Sequence, residues 1–490
     1  MIPLHTVGEI RAAEAPLLAS LPAGTLMQRA AIGLATVCGG LLGRHYGRRV
    51  VVLVGTGNNG GDALFAGARL AGRGVRVTAV LLDPERAHPA GLAALRRAGG
   101  RVLAAGSPPA VRIVERADLV LDGMLGIGGR GGLRPDAAAL AEAAAIGSGI
   151  TVAVDVPSGI DADTGEVEGT AFAAMHTVTF GAVKPGLLVG EGRGHAGQVH
   201  LIDIGLTPHL APASAFQLTD AAAAAALEPP SPLDDKYSQG VVGIVAGSAV
   251  YPGAGVLCTG AALRTRPGLV RYAGTAADGV RAAWPEAIVT EGRPGDAGRV
   301  QAWVVGPGIG TDDGARSVLA EVLATDLPVL VDADALTLLA DDPAPVLDRT
   351  APTVLTPHDR EFARLGYEVG PDRVGAARRL AADLGAVVLL KGDATVVAGA
   401  DGTAFVNATG TPWLATAGTG DVLAGIAGAL LATGLPAARA AAVAAHVHGR
   451  TGQLAAEGGP LLAGDLVRQL PAAVSRVRGV PARRLEHSEP

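Results

Sequence analysis

Short runs of Val, Ile and Leu recur along this chain of 490 residues, with Ala-rich amphipathic stretches between them. This alternation is typical of βαβ units, and continuous apolar runs indicate parallel strands buried on both faces. The runs in the first part are 49–55, 75–83, 117–123, 150–159, 176–181 and 199–205. Those in the second part are 241–248, 302–308, 328–334, 353–358 and 386–392. The sequence therefore predicts an α/β protein with mostly parallel sheets.

The segment 211–235 is rich in Ala and Pro and has little periodic signal. We interpret it as a domain junction with room for a short helix. At roughly 100–200 residues per domain, the length favours two large domains or three small ones. We therefore predict two domains, residues 1–212 and 213–490.

Composition excludes several classes of protein. Hydrophobic residues make up 49% and charged residues 18%, which excludes a disordered chain. Aromatic residues are only 3% and the net charge is −6, so nucleic acid is not an expected partner. Two cysteines, Cys38 and Cys258, cannot build a disulfide framework or a Cys-rich zinc site. Because the start lacks a signal-peptide pattern and 422–438 is broken by Gly and Pro, we expect a soluble cytoplasmic protein without membrane contacts.

Lysine is rare in this chain. Of the 40 basic residues only three are lysines, namely Lys184, Lys236 and Lys391. A chain this rich in Arg is expected to keep Lys where a compact ammonium is needed, although three chance surface lysines are the alternative.

Gly55, Gly57 and Gly60 form a G-x-G-x-x-G pattern after a predicted strand, and Asp83 closes the next strand. This is the Rossmann dinucleotide fingerprint, so a dehydrogenase is one candidate. The loop continues as Asn-Asn-Gly-Gly-Asp over 58–62, however, and adds amide and carboxylate oxygens that a plain pyrophosphate loop does not need.

Two more polar loops follow strand ends, 122–132 and 155–161. Open α/β sheets bind ligands at the carboxyl ends of their strands, so these loops are expected to meet. Helix capping by the aspartates is the structural alternative for either loop. The oxygens of Asn59, Asp122 and Ser158 suit a monovalent cation better than zinc, which leaves Asp155 for proton transfer or a ribose contact.

Four motifs occur in the first part, namely VGTGNNGGD (54–62), DGMLGIGGRG (122–131), VDVPSGIDADTG (154–165) and FGAVKPG (180–186). Together they resemble the NAD(P)H-hydrate epimerase family, and the resemblance covers roughly residues 1–210. The resemblance implies that Asn59, Asp122 and Ser158 hold potassium. It implies contacts to the hydrated nicotinamide nucleotide from Asn58, Asn59, Gly60, Gly61, Asp62, Gly126, Ile127, Gly128, Gly129, Arg130, Gly131, Gly132 and Asp155. Thr56 and Ala63 depart from the family, which usually has Pro and Gly there.

The second part carries Ala-Gly-Thr-Gly-Asp over 417–421, ahead of an apolar helix. Backbone N–H groups at a helix start bind anions, and a carboxylate placed beside them suits a base that deprotonates an attacking hydroxyl. Stabilising the first helical turn is the alternative role for Asp421. Lys391–Thr395 follows another strand and suits a nucleotide contact, while 306–310 and 356–358 also lie at strand ends.

Six motifs follow one another in the second part, in the order AGSAVYPGAGVL (246–257), VVGPGIG, VDADAL, LTPHDREF, LLKGDAT and ATAGTGDVLAGI. In this order they resemble proteins of the ribokinase-like fold and, among them, the ADP-dependent NAD(P)H-hydrate dehydratases. The resemblance covers about residues 217–475. The resemblance implies that Ala254, Gly308, His358 and Asp421 contact the hydrate. It implies that ADP is held by Lys391, Gly392, Asp393, Ala394, Thr395, Gly418, Thr419 and Gly420. Departures from the family are Asp359-Arg360 and Arg266-Pro267.

We therefore expect a Rossmann-like doubly wound domain followed by a ribokinase-like domain, joined in a bifunctional repair enzyme. Asp155 and Asp421 are the expected catalytic residues, potassium and Mg²⁺ the expected ions, and ADP the co-substrate. Water adds to the reduced nicotinamide ring as two epimers, so an epimerase would supply the S form to a stereospecific dehydratase. The alternatives are an ATP-dependent kinase of a small hydroxylated metabolite and, less well supported by these residues, a dehydrogenase. Small-molecule substrates and a homo-oligomer are expected.

Overall fold

The computed structural model describes residues 1–129, 131–266 and 268–480. Two residues named above, Arg130 and Pro267, lie outside the described residues. Contacts divide the described chain into two compact units. The N-terminal unit is Pro3–Ala213, and the C-terminal unit is Met1–Ile2 together with the described residues from Ser214 onward.

The strands of the first part are β1 (Ile2–Leu4), β2 (Arg49–Val54), β3 (Arg76–Leu81), β4 (Arg101–Ala104), β5 (Leu119–Gly123), β6 (Ile150–Val154), β7 (His176–Phe180) and β8 (Gln198–Ile202). Its helices are α1 (Val7–Ser20), α2 (Thr25–Leu42), α3 (Asn58–Ala71), α4 (Pro89–Arg97), α5 (Ala110–Glu115), α6 (Pro135–Ile146) and α7 (Gly190–Ala196).

The sheet of the N-terminal unit has seven parallel strands in the order β4-β3-β2-β5-β6-β7-β8. The strand order reverses between β2 and β5, and a doubly wound sheet opens its ligand crevice at such a point. This order confirms the predicted Rossmann-like fold. β4 was not predicted because its four residues form a short, partly exposed edge strand without an apolar run.

The crevice depends on glycine at the end of β2. A Cβ placed on Gly55 would lie 1.8 Å from the carbonyl oxygen of Met124, so any side chain would push β2 and the loop after β5 apart. A Cβ on Gly123 would similarly lie 2.5 Å from the Cβ of Ala63 on α3. Close backbone packing, rather than a turn with positive φ, therefore explains the first glycine of the motif.

Among the described residues, α2 is the one helix long and apolar enough to cross a membrane by length and composition alone. Its apolar face, which includes Leu26, Leu34, Cys38 and Leu42, is buried in the core of the N-terminal unit. A core helix satisfies the same criterion, and its packing identifies α2 as such a helix.

The strands of the C-terminal part are β9 (Ala215–Gln217), β10 (Val241–Val245), β11 (Leu269–Ala273), β12 (Ile288–Thr290), β13 (Ala302–Val305), β14 (Val329–Val331), β15 (Thr353–Leu355), β16 (Val387–Leu390), β17 (Thr395–Ala398) and β18 (Ala404–Asn407). Its helices are α8 (Asp220–Ala224), α9 (Pro252–Thr265), α10 (Ala277–Ala283), α11 (Asp313–Leu323), α12 (Asp334–Asp341), α13 (Ala344–Leu347), α14 (Asp359–Arg364), α15 (Arg373–Leu384), α16 (Thr419–Leu431), α17 (Ala437–Ala456) and α18 (Ala463–Val477).

The second sheet runs β1-β9-β18-β17-β16-β15-β14-β13-β10-β11-β12. Strands β10 to β16 pair in parallel, whereas β16, β17 and β18 form an antiparallel meander. Helix α16 packs closely on α9 and on the sheet. A Cβ on Gly425 would lie 2.3 Å from the carbonyl oxygen of Cys258, and one on Gly428 would lie 2.1 Å from Val304 Cγ2. Gly425 and Gly428, which interrupt the apolar segment 422–438, are thus the residues that let α16 pack closely in the core.

The segment 211–235 is not a bare junction. It contains β9, which pairs with β18 and brings the Phe216 and Phe405 rings to 6.1 Å, and the short helix α8. Its three-residue strand is too short to give a periodic signal, so pairing across the sheet, not local pattern, makes it a strand.

Candidate active sites

A cleft of about 930 Å³ opens in the N-terminal unit at the carboxyl ends of β2 and β5. Helices α1 and α2 form its opposite side. Its wall includes eight of the residues selected from the sequence, namely Asn58, Asn59, Asp62, Gly126, Ile127, Gly128, Gly129 and Asp155. The structure therefore brings the three polar loops of the N-terminal domain to one site.

Four predicted contact residues are not in this wall. Gly60 and Gly61 are buried inside the first turn of α3, where added Cβ atoms would meet Gly55 O at 2.4 Å and Met27 Cε at 2.9 Å. Gly131 and Gly132 are displaced from the cleft, and a Cβ on Gly132 would lie 2.1 Å from Glu168 O. Gly60, Gly61 and Gly132 thus permit close packing, whereas Gly131 has a φ of 73° and room for a Cβ, and none of the four is in the wall of the cleft. Arg130 was predicted with them and lies outside the described residues.

Asp83, the acidic residue of the dinucleotide fingerprint, is committed to a turn. Its Oδ1 accepts bonds from the backbone N–H groups of Glu85 and Arg86 at 3.1 and 3.3 Å. Asp83 is also not in the wall of the cleft. The geometry does not favour the dehydrogenase alternative.

Asp155 follows β6 with φ of 65°, a left-handed conformation that is costly for a residue with a side chain. Its Oδ1 accepts hydrogen bonds from Thr179 Oγ1 and Phe180 N, each at 3.1 Å, and from Lys184 Nζ. Lys184 is 1% exposed, and its ammonium also donates to Thr179 Oγ1 at 2.9 Å and to Phe180 O at 3.1 Å. A rare lysine is therefore the buried counter-ion of the predicted catalytic carboxylate.

Two further carboxyl groups share the cleft with Asp155. Burial raises the pKa of Asp62 well above its ordinary value, and the negative charges of Asp155 and Glu14 raise it further. Burial and the charge of Asp155 likewise raise the pKa of Glu14, while Lys184 and Arg11 oppose this. The cleft thus favours the protonated forms of Asp62 and Glu14 relative to free carboxyl groups.

Asn59, Asp122 and Ser158 also meet. Asp122 is fully buried, and its two oxygens accept bonds from Ser158 Oγ at 2.7 Å and Ser158 N at 2.8 Å. Within the loop 122–132, Leu125 accepts a hydrogen bond from Asn59 Nδ2 through its carbonyl oxygen and donates one from its backbone N–H to the Ser158 hydroxyl. Burial raises the pKa of Asp122 to about 6, partly offset by the bonds from Ser158 and Met124. No basic side chain of the described residues pairs with it.

In the C-terminal unit, α16 begins at Thr419 after Gly418, whose φ of 86° makes it a left-handed N-cap. Asp421 lies in the first turn of this helix. Burial raises the pKa of Asp421 to about 7, Asp332 and Asp334 raise it as well, and Lys391 opposes them. This carboxyl group therefore exchanges a proton near neutral pH, as a general base requires.

Lys391 follows β16 and forms ion pairs with two carboxylates. Its Nζ lies 2.7 Å from Asp332 Oδ1 and 3.5 Å from Glu361 Oε2. Asp332 is 2% exposed and also accepts a bond from Thr356 Oγ1 at 2.8 Å. Burial alone would lower the pKa of Lys391, but the charges of Asp332 and Glu361 outweigh it and raise the pKa. The ammonium is therefore a fixed positive charge.

The predicted hydrate contacts Ala254 and Gly308 adjoin each other, and His358 lies close to a carboxylate partner of Lys391. A Cβ on Gly308 would lie 2.9 Å from the Cβ of Ala254, at the start of α9. His358 caps α14, with Nδ1 accepting from Arg360 N at 3.1 Å and Glu361 N at 3.2 Å. Its Nε2 lies 3.5 Å from Glu361 Oε1, so Glu361 connects His358 to Lys391.

The predicted ADP contacts belong to two segments. A Cβ on Gly420 would lie 3.8 Å from Lys391 Nζ, so the start of α16 and the loop 391–395 are adjacent. Gly392 and Asp393 are exposed on that loop, Ala394 is buried, and Thr395 is partly buried. The hydroxyl of Thr419 donates to Leu414 O and Thr416 O, so this buried side chain stabilises the turn before α16.

Three residues of these sites were not predicted. Asp332 and Glu361 lie within VDADAL and LTPHDREF, and an acidic residue shortly after a buried strand was the available signal. Glu14 gave no signal, because it comes from α1, far along the chain from the three polar loops of the cleft. The role of Lys184 could have been inferred from its rarity and its place five residues after Thr179.

The chain matches two family models and several named proteins. The model described as NAD(P)H-hydrate dehydratase matches residues 242–471, and that described as YjeF-related protein N-terminus matches residues 23–186. A Mycobacterium tuberculosis protein named bifunctional NAD(P)H-hydrate repair enzyme Nnr is 53% identical over 443 residues, which cover 89% of this chain and 91% of that protein. The Mycobacterium leprae protein of the same name is 51% identical over 480 residues, which cover 97% of this chain and 98% of that protein.

The C-terminal half has a related solved structure. A ribokinase-like superfamily protein from Enterococcus faecalis V583 superposes with a TM-score of 0.50 and 26% sequence identity, covering 56% of this chain and 99% of that one. Together with the matching dehydratase model, this likeness confirms the predicted ribokinase-like fold.

Proposed function

Since the chain belongs to the bifunctional NAD(P)H-hydrate repair enzymes, we propose that each of its two sites performs one of the two reactions. The N-terminal cleft interconverts the R and S hydrates of NADH and NADPH. The C-terminal site dehydrates the S hydrate with ADP as co-substrate, giving NAD(P)H, AMP and phosphate. The choice of ADP and the S stereochemistry rest on the sequence resemblance alone, and the residue roles rest on the resemblance and the geometry together.

The position of Asp421 carries the proposal for dehydration. Its carboxyl group, with a pKa of about 7, lies at the start of α16 beside Lys391. As a base it removes the proton of the hydroxyl on the reduced ring, and the oxygen attacks the terminal phosphoryl group of the nucleotide. The backbone N–H groups of Gly418, Thr419 and Gly420 stabilise the charge on that phosphoryl group.

The second half of dehydration needs no further acid from the protein. The ring nitrogen supplies its electron pair as the C–O bond breaks, and phosphate leaves with the bonding pair. The adjacent ring carbon then loses a proton to the departing phosphate or to water, and the C=C bond of the dihydronicotinamide forms again. The phosphorylated hydroxyl is thus an intermediate, and the enzyme differs from a kinase in not releasing it.

Potassium fits the site of Asn59, Asp122 and Ser158. Asp122 is a buried carboxylate without a basic partner among the described side chains, and the amide and hydroxyl oxygens beside it are hard donors. A bound cation would supply positive charge next to the loop 126–129, where phosphate groups of the substrate are expected. The chain's own residues hold that loop through Leu125, which contacts both Asn59 and Ser158.

Magnesium is proposed to enter with the nucleotide. Within residues 1–129, 131–266 and 268–480, no three side chains of His, Cys, Asp or Glu converge on a metal position. Mg²⁺ is commonly bound through substrate phosphates with one or two carboxylates, so a preformed cage is not required.

The test is recovery of the absorbance of reduced nicotinamide from a mixture of both NADH hydrates with ADP and Mg²⁺. Full recovery is expected for the native chain, recovery of the S share alone for Asp155→Asn, and none for Asp421→Asn. Asparagine tolerates the positive φ of Asp155, so the first variant is conservative. Release of a stable phosphorylated product from ATP, with no recovery of absorbance, would replace this proposal with the kinase alternative.

A further inference from the structure

The N-terminal cleft contains more acid than base. Its titratable and charged wall residues are Arg11, Glu14, Asp62, His88, Asp155 and Lys184. His88 is committed to capping α4, because its Nδ1 accepts a bond from Gly91 N at 3.1 Å. Three carboxyl groups therefore face two cations, which favours at least one of the acids staying protonated.

Lys184 cannot itself transfer a proton or hold substrate in this arrangement. Its three ammonium protons have three acceptors in place, Asp155 Oδ1, Thr179 Oγ1 and Phe180 O. Its side chain is 1% exposed. Lys184 therefore acts through Asp155 by fixing the position and the charge of that carboxylate.

The same contacts leave one oxygen of Asp155 available. Oδ1 accepts three hydrogen bonds, from Thr179, Phe180 and Lys184. No described residue donates a hydrogen bond to Oδ2, and the side chain keeps 12% of its surface exposed in the wall of the cleft. Oδ2 is thus the atom that can take a proton from a ligand.

Asp62 has the opposite environment. It comes from the first turns of α3, and its Oδ1 is buried without a hydrogen-bond partner among the described residues. A buried carboxylate oxygen with no donor and with two other acids nearby favours the protonated form, and the pKa of Asp62 is raised accordingly. Asp62 therefore supplies a proton where Asp155 accepts one.

We propose that Asp62 and Asp155 are the acid and base of epimerisation, with Lys184 as the positioning residue of Asp155, an inference that rests on the proposed function of this unit. Asp155 Oδ2 takes the proton of the ring hydroxyl, and the O–H electron pair forms a carbonyl as the bond from that carbon to the ring nitrogen breaks. The nitrogen keeps the bonding pair and takes the proton of Asp62. Rotation of the open chain presents the other carbonyl face, and the reverse transfers close the ring as the other epimer. The cycle consumes and releases no net proton.

The experiment uses the full chain and purified R and S hydrates of NADH, with ADP, Mg²⁺ and a no-enzyme blank. Recovery from the S hydrate reports the C-terminal site alone, whereas recovery from the R hydrate requires epimerisation first. Asp62→Asn is expected to slow the R reaction about 10²- to 10⁴-fold, to abolish the alkaline limb of its pH profile, and to leave the S reaction unchanged. Asp62→Glu is expected to restore part of the rate. Asp83→Asn is the matched control, because Asp83 serves a turn outside the cleft.

Lys184→Met tests the positioning role. Loss of the ammonium makes proton binding by Asp155 more favourable, so the acid limb of the R profile is expected to move to higher pH while the S reaction is unchanged. Lys184→Arg is expected to move that limb back, and Lys236→Met, at an exposed lysine, to leave it in place.

Four results would overturn parts of this scheme in distinct ways. An alkaline limb that persists in Asp62→Asn, with a rate within threefold of native, would remove Asp62 as the acid. An acid limb that stays in place in Lys184→Met would leave Lys184 only a structural role. A native chain that converts the S hydrate but not the R hydrate would reject the epimerase proposal and this inference together. A native chain that converts neither hydrate would reject the proposed function of the C-terminal site alone; interconversion of the two purified hydrates would then be followed directly, and its absence would reject the epimerase proposal.

Discussion

Replacing the base of the dehydratase site should make the C-terminal unit more stable. Raising the pKa of Asp421 from 3.8 to about 7 disfavours its ionised form in the folded state by about 4 kcal/mol. Water that reaches this partly buried carboxyl group reduces that cost, and we expect about 2 kcal/mol of it to appear in the free energy of unfolding. Asp421→Asn removes that cost together with the activity.

The sign of the pH dependence follows from the direction of the shift. An acid whose pKa is raised on folding destabilises the folded state once the unfolded chain ionises it, so the cost begins near pH 3.8 and reaches its full value above about pH 7. The stability gain of Asp421→Asn should therefore be near zero at pH 4 and largest at pH 8.

The chain supplies its own probe for this measurement. Its three tryptophans, Trp284, Trp303 and Trp413, all belong to the C-terminal unit, so their fluorescence in a urea titration follows the unfolding of that unit. Asp401→Asn is the control, because Asp401 lies in the exposed turn between β17 and β18. A gain that is equal at pH 4 and pH 8, or a loss of stability at pH 8, would refute this account of Asp421.

Three further outcomes follow from the two sites. Lys391→Met leaves Asp332 buried without its cation, so tryptophan fluorescence should show about 3 kcal/mol less stability, and an unchanged urea midpoint would contradict the pairing. Potassium should increase the hydrogen-exchange protection of β5 relative to choline at equal ionic strength, and Asp122→Asn should remove this difference. Equal protection of β5 in both salts would argue against a cation at Asp122. Gly55→Ala forces a Cβ to within 1.8 Å of Met124 O, so recovery from the R hydrate should be lost while the S reaction remains, and retained R activity would show that the loop can move aside.

Much of the fold could be predicted because it depends on local pattern. Strands such as β2 and β5 are continuous apolar runs, and their carboxyl ends carry the loops that form the N-terminal cleft. The short strands β4, β9 and β12 could not be predicted in this way. They have three or four residues each and owe their structure to pairing with a neighbour.

The candidate sites were predictable to the extent that their residues follow strands directly. Asp155 directly follows β6, Asp421 lies in the first turn of α16, and the structure places each beside a lysine. The charge environment was not predictable, because Glu14 reaches Asp155 from another helix and Glu361 reaches Lys391 from the cap of α14. Nor could the sequence separate the glycines that face the cleft from Gly60 and Gly61, since the same residue serves ligand approach and close packing.

The three lysines of this chain have very different accessibility. Lys184 is 1% exposed beside Asp155, Lys391 is 19% exposed and paired with Asp332, and Lys236 is exposed. Reagents that acylate primary amines should therefore modify Lys236 much faster than Lys184 or Lys391 in the native protein. Among the lysine side chains, coupling through amines would attach a dye or a surface mainly at one defined point, a selectivity that proteins with many surface lysines do not offer.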